Sequence, residues 1–153
     1  MLRPPAKRLY LEDLYVGQRF CSGPQIIDEA QIKKFAIEFD PQPFHLSDEG
    51  AVGTLFGSLA ASGWHTAAIT MRLYVDSVPL ADGVIGAGAQ VDWPKPTRPG
   101  ATLQLFSEIV SIVPSRSRPD RAIVEMRSET RDEHGEVVQV LTAKLIVFKR
   151  GAK

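Results

Sequence analysis

An aspartate and a histidine stand five positions apart in FDPQPFHLSDEG, residues 39–50, with two prolines between them. A carboxylate and an imidazole that share one water can take a proton from it and return a proton elsewhere, which is worth about 10²–10⁴-fold in rate when both groups are held in place. Asp40 and His45 are the candidates for that pair. Pro41 and Pro43 each fix their own φ and bias Asp40 and Gln42 toward extended backbone, so the bend between acid and base loses little entropy on ordering. Asp-Pro also opens ordinary turns and an imidazole can simply cap or pack, so these residues taken alone leave both readings open. Stability does not argue for Asp40, because an anion at a helix C-terminus costs a few tenths of a kcal/mol or more through the dipole.

The second candidate is Ser62-Gly63, at the start of the apolar run SLAASGWHTAAITMRLYVDSV. Free N–H groups in a first helical turn attract an anion, and a glycine lets a ligand carbonyl approach the backbone closely, an arrangement suited to an oxyanion. The plain alternative is an N-cap serine followed by a packing glycine. Trp64, Phe44 and Phe56 are candidates for lining an acyl pocket, although large apolar residues are more often core. A metal site built from His45, Asp48, Glu49 and His65 is rejected, since no His-x-x-x-His or cysteine cluster is present. HLSDE fits a solvated helical turn whose acids complement the dipole, and His65 fits a satisfied core or site-wall histidine. Cys21 has no local signature of a nucleophile and is expected to be a buried, inert thiol.

These groups need elements to carry them. From Asp28, DEAQIKKFAIEFD places Ile32, Phe35, Ala36 and Phe39 at i, i+3, i+4 and i+7, with Asp28 and Gln31 spaced as a capping box. That predicts an amphipathic helix of about three turns ended by Asp40-Pro41. A short turn or helix is expected around residues 48–56. The run between Trp64 and Val75 is apolar on nearly every face, with Arg72 its only charge, and predicts a long helix buried all round. Residues 85–93, 101–113, 121–131 and 136–149 are rich in Val, Ile, Leu and Thr and are separated by PTRPG, PSRSRPD and DEHG, each a turn signal. Strands in hairpin succession after a helical first half make the class α+β: one curved antiparallel sheet wrapped around one long central apolar helix.

The bulk properties agree with an ordinary folded domain, taken as a single unit over residues 1–153. The chain is 44% apolar and 24% charged, near the averages of globular proteins. Eighteen basic residues cancel eighteen acidic ones, which removes the electrostatic footprint of a nucleic-acid binder or of a protein bound to an anionic membrane. No apolar run approaches the length of a membrane span, and MLRPPAKRLYLEDLYVG lacks the apolar core of a signal peptide. The single cysteine cannot form an internal disulfide, so a reducing cytoplasm is the expectation.

Asp40-Pro41-Gln42-Pro43-Phe44-His45 resembles the D-x-N-P-x-H signature of the MaoC-like dehydratases and (R)-specific enoyl-CoA hydratases, which have the hotdog fold. ASGWHTA at 61–67 is similar to the segment that opens their central helix, VDWPKPTRPGATL at 91–103 to their strand-turn-strand, and SRSRPDRAIVEM at 115–126 to a further stretch of many members. The resemblance therefore covers nearly all of the chain. It implies that Asp40 and His45 are the catalytic dyad, and that Gly63, with Ser62, lies where the family's helix N-terminus holds a thioester carbonyl. It also implies an acyl-CoA or acyl-carrier thioester as substrate, no further cofactor, and at least a homodimer with the acyl channel at its interface. Gln42 stands where the hydratases usually have Asn, and Ser62 where many have His. Gln42, Ser62, Gly63 and Trp64 are the expected substrate-contacting set, and Arg116, Arg118 and Arg121 are candidates for CoA phosphates. A hotdog thioesterase and a non-catalytic acyl-thioester-binding protein are the alternatives, because fold does not fix function.

Overall fold

Two strands too short to leave a periodic signal, β1 (Arg19–Cys21) and β2 (Gln25–Ile26), come early in this computed structural model, which describes residues 7–152. Residues 1–6 and 153, parts of the expected 1–153 unit and of the MLRPPAKRLYLEDLYVG segment, lie outside the described residues. Helix α1 (Glu29–Phe39) follows, and its start is the expected capping box: Asp28 Oδ1 accepts the Gln31 N–H at 2.8 Å while Gln31 Oε1 accepts the Asp28 N–H at 3.0 Å. Ile32 and Ala36 are fully buried beneath it, whereas Phe39, expected on the same apolar face, is exposed at the helix end.

The proline-stiffened bend is itself helical. Pro43 occupies the first position of a one-turn helix, α2 (Pro43–Leu46), where its missing N–H costs nothing. Ser47 caps the next turn, α3 (Asp48–Ala51), by accepting the Gly50 N–H at 2.9 Å. Gly50 is required there because a Cβ would overlap the Pro43 carbonyl. Residues 52–62 form neither helix nor strand.

The long helix α4 (Gly63–Ser77) crosses the sheet. The sheet continues with β3 (Gly86–Asp92), β4 (Thr102–Pro114), β5 (Arg121–Arg131) and β6 (Val137–Phe148), within a residue or so of the four expected strands. Its spatial order is β1-β4-β5-β6-β3, with β2 also paired to β4, and every pairing is antiparallel. Alternation sets the inner face: Leu103, Leu105 and Ile109 from β4, Val124 and Met126 from β5, and Leu145 and Val147 from β6 are buried with Ile69, Leu73 and Tyr74 of α4. Each such side chain contributes about 1.5–3 kcal/mol by leaving water. A register shift between Ile109 and Ser111 interrupts the alternation and turns Val110 outward.

The helix departs from the expectation in one respect. It is not buried all round: Trp64, Met71 and Val75 are 61%, 43% and 52% exposed and form one stripe along it. Ile69, Thr70, Leu73 and Tyr74 are buried with the residues of the sheet, His65 packs on Phe35 of α1, and Thr66 donates to Thr97 Oγ1 in the turn after β3. The reason is the sheet's extent, which in one chain covers only one side of the helix.

Candidate active site

Asp40 is the C-cap of α1 and His45 lies on α2, so the bend closes one side chain onto the other. His45 Nε2 is 3.3 Å from Asp40 Oδ2, with the side chains only 5% and 15% exposed. The other ring nitrogen fixes the tautomer. Nδ1 lies 2.8 Å from the carbonyl oxygen of Ala60, and since a carbonyl only accepts, Nδ1 carries the hydrogen and Nε2 of the neutral ring keeps its lone pair toward Asp40. Edge contact with Phe44, centroids 4.6 Å apart, holds the plane of the ring.

Asp40 is supported at both oxygens. Gln42 Nε2 donates to Oδ1 at 2.6 Å and Ser62 Oγ donates to Oδ2 at 2.6 Å. Burial pushes the carboxyl pKa up, but the hydrogen bonds from Ser62 and Gln42 outweigh it, joined by the positive charge of the His45 ring whenever that ring is protonated, and hold Asp40 below its ordinary value. Gln42 therefore acts as an orienting donor two residues along, and Ser62 joins the dyad to the helix. The same Ser62 Oγ accepts the Trp64 N–H at 3.2 Å, as an N-cap does. Among the described residues the Gly63 N–H has no hydrogen-bond partner, and Gly63 faces the same cleft as the dyad.

That cleft measures about 580 Å³ and is lined by Asp40, His45, Phe56, Gly63, Trp64 and Trp93 among others. Trp93 explains the glycine: a Cβ on residue 63 would lie 2.7 Å from its indole ring. The indole is fixed in turn by its N–H, which donates to Gln139 Oε1 at 2.9 Å, and Gln139 Nε2 donates to Thr70 Oγ1 at 3.0 Å in the core. Two acceptors 3.3 Å apart that can share a water, beside an unpaired N–H in a mostly apolar cleft, have the chemistry to add water to a polarised double bond or remove it, with charge gathering on an oxygen at the N–H.

The structure thus brings together Asp40, Gln42, His45, Ser62, Gly63 and Trp64. Phe44 buttresses the imidazole and does not line the cleft. Asp48 accepts the Leu59 N–H at 2.8 Å. His65 lies flat on Phe35, ring centroids 4.7 Å apart, but it is not satisfied as expected: Nδ1 is buried without a partner, and burial holds the imidazole below its ordinary pKa. Cys21 is exposed rather than buried, because β1 is an edge strand and its alternation points residues 19 and 21 outward. Arg116 and Arg118 lie in the β4–β5 turn and Arg121 opens β5, and none of the three lines the cleft. Arg121 is committed to Asp120 at 2.9 and 3.1 Å and to the face of Phe148. Sequence reasoning missed Trp93, Thr97 and Lys95, which line the cleft from the turn after β3; the Pro and Gly punctuation of VDWPKPTRPG marks a turn and says nothing of where it points.

Comparison with known proteins bears on the fold and the family. The chain is similar to the crystal structure of the MaoC-like dehydratase from Rhodospirillum rubrum, at 59% identity over 93% of this chain and 98% of that one, with a TM-score of 0.91. It shares the fold of the R-hydratase PhaJ1 from Pseudomonas aeruginosa, at 22% identity over 94% of this chain and 88% of that one, with a TM-score of 0.74. It is 28% identical over 115 residues to the 3-hydroxybutyryl-CoA dehydratase of Methylorubrum extorquens, covering 75% of this chain and 73% of that protein. Residues 16–131 match the MaoC like domain, and the chain belongs to the MaoC-like dehydratase family of the hotdog fold.

Proposed function

We propose that the chain is a hydro-lyase that reversibly adds water to a trans-2-enoyl thioester, enoyl-CoA or a similar carrier, to give the (R)-3-hydroxyacyl thioester. The observation that carries this reading is the 3.3 Å approach of His45 Nε2 to Asp40 Oδ2 in the cleft that also holds Gly63. A water donating to both groups attacks C3; its proton passes to the dyad, and the electron pair of the double bond moves through C2 to the thioester oxygen at the Gly63 N–H. The dyad then delivers a proton to C2, so that one water is consumed and both side chains return to their starting state. Ionised Asp40 is the natural partner for an imidazolium formed on the way. No cofactor beyond the thioester is needed. The names of the R-hydratase and the 3-hydroxybutyryl-CoA dehydratase above support this choice of chemistry.

The active form is a homodimer in this reading. The apolar stripe of Trp64, Met71 and Val75 on α4 runs beside β3, whose outer edge has no partner among the described residues, and an open edge next to exposed apolar surface is what a second copy covers. Among the described residues no helix is long and apolar enough to cross a membrane, and the reading assigns the protein to the cytoplasm, where a lone thiol such as Cys21 stays reduced. The test follows ultraviolet loss of the enoyl-thioester chromophore across a chain-length series, with free thiol assayed in parallel. Loss of the chromophore without thiol release is expected. Thiol release would make the chain a thioesterase, and binding without either change would make it an acyl-thioester-binding protein.

A further inference from the structure

Residues 52–62 have no regular structure, yet they supply two of the dyad's supports, the Ala60 carbonyl and the Ser62 hydroxyl. Their backbone is held from outside. On one side Leu59 N–H donates to Asp48 Oδ1 at 2.8 Å and Ala60 N–H to the Phe44 carbonyl at 3.1 Å. On the other, the turn after β3 grips the segment: Ala61 N–H donates to the Thr97 carbonyl at 2.9 Å, and the next residue, Arg98, reaches across with its whole guanidinium. Arg98 Nη2 donates to the Phe56 carbonyl at 2.7 Å, and Nη1 to the Ser58 carbonyl at 2.8 Å, to Ser58 Oγ at 2.9 Å and to the Leu59 carbonyl at 3.4 Å. Among the described residues no carboxylate pairs with Arg98, so its charge is met by carbonyl and hydroxyl oxygens of this one segment.

We propose that Arg98 is a positioning residue for the dyad: by gathering the carbonyls of Phe56, Ser58 and Leu59 it presents the next carbonyl, that of Ala60, to His45 Nδ1. The consequence is tautomeric. With the Ala60 carbonyl in place, the ring hydrogen sits on Nδ1 and Nε2 is free to accept from water. Without it, the ring is free to carry its hydrogen on Nε2 and donate directly to Asp40 Oδ2, which closes the pair to water while the thioester site at Gly63 is untouched. A planar fork suits this duty because two nitrogens on one rigid plane serve Phe56 on one side and Ser58 and Leu59 on the other, and a lysine ammonium, a single point, does not.

The kinetic arm of the test rests on the hydratase reading; the spectroscopic arm does not. Arg98→Met and Arg98→Lys are compared with the wild type by ¹⁵N spectroscopy of the histidine rings, with the His45 signals assigned by their loss in His45→Asn, and by kcat and KM for crotonyl-CoA hydration. The expected result in Arg98→Met is appearance of the Nε2–H tautomer at His45 with kcat down about 10–100-fold, the scale of a small misplacement at a reacting centre. KM should stay within about threefold, because uniform thioester binding is not affected. Arg98→Lys should fall between the two proteins in both readouts, and it decides the matter if the methionine variant does not fold. Retention of the pure Nδ1–H tautomer in a folded variant overturns the proposal, whether kcat holds or falls. If the wild type turns over no enoyl thioester, the hydratase reading fails and the tautomer still decides about Arg98.

Discussion

The sheet of β4, β5 and β6 and the segment from Asp40 to Ser62 are held together in opposite ways. The three strands are joined residue by residue along antiparallel ladders and bury an alternating apolar face, so each residue shares its task with many neighbours. The segment from 40 to 62 depends on a few particular side chains: the Ser62 hydroxyl and the Gln42 amide each donate once to Asp40, His45 Nδ1 donates to the Ala60 carbonyl, and the one guanidinium of Arg98 holds the connection between them. Redundancy supplies stability, whereas singular contacts supply a fixed geometry for chemistry. Damage to the first should appear as lost folding free energy, and damage to the second as lost rate.

The sharpest way to break that division is at the dyad. Asp40→Ala and His45→Ala should each lower hydration of crotonyl-CoA by about 10²–10⁴-fold, the range for removing a positioned acid or base, while the thermal midpoint stays near that of the wild type. A midpoint collapse with unchanged rate per folded molecule would show that the dyad is structural after all. Leu105→Ala tests the other side. It removes a fully buried side chain from the inner face of β4 and should cost about 2–5 kcal/mol in urea unfolding, yet leave kcat of the folded fraction unchanged at low temperature.

Ser62→Ala lies on the boundary and should show both effects at smaller size. Loss of the cap on α4 costs about 0.5–2 kcal/mol, and loss of the donor to Oδ2 lets the Asp40 pKa rise toward its ordinary value. The acid limb of the kcat/KM profile should therefore move to higher pH. The sign for stability follows: a carboxyl held low in the folded chain adds stability that is complete above the unfolded pKa and is lost as pH falls through the folded one. The deficit of Ser62→Ala measured at neutral pH should accordingly narrow in acid, and a deficit independent of pH would sever Ser62 from Asp40.

The same contrast explains what sequence could tell. Alternation located β4, β5 and β6 because a half-buried strand repeats every second residue, and Asp28 with Gln31 marked the start of α1 because their two bonds are local. Asp40 and His45 were legible for a related reason, since only five positions separate them on a bend with prolines. β1 and β2 left no signal, being too short to show a period. The exposure of Cys21 and the stripe on α4 were misjudged because residue type reports hydrophobicity and not which faces one chain manages to cover. The grip of Arg98 on Ser58 spans 40 positions of sequence, and Trp93 meets Gly63 only after the turn beyond β3 folds back over α4. No spacing rule reaches contacts of that kind.

Connections without helix or strand are where an inserted peptide, a fluorophore or a new chain terminus is usually best tolerated. For residues 52–62 the expectation is reversed, because this stretch is fastened at Phe56, Ser58, Leu59, Ala60 and Ala61 to three other parts of the fold. A tag or a permuted end placed there should disturb the proposed site before it troubles folding, while the arginine-bearing turn between β4 and β5, which does not line the cleft, is the better place to attach one.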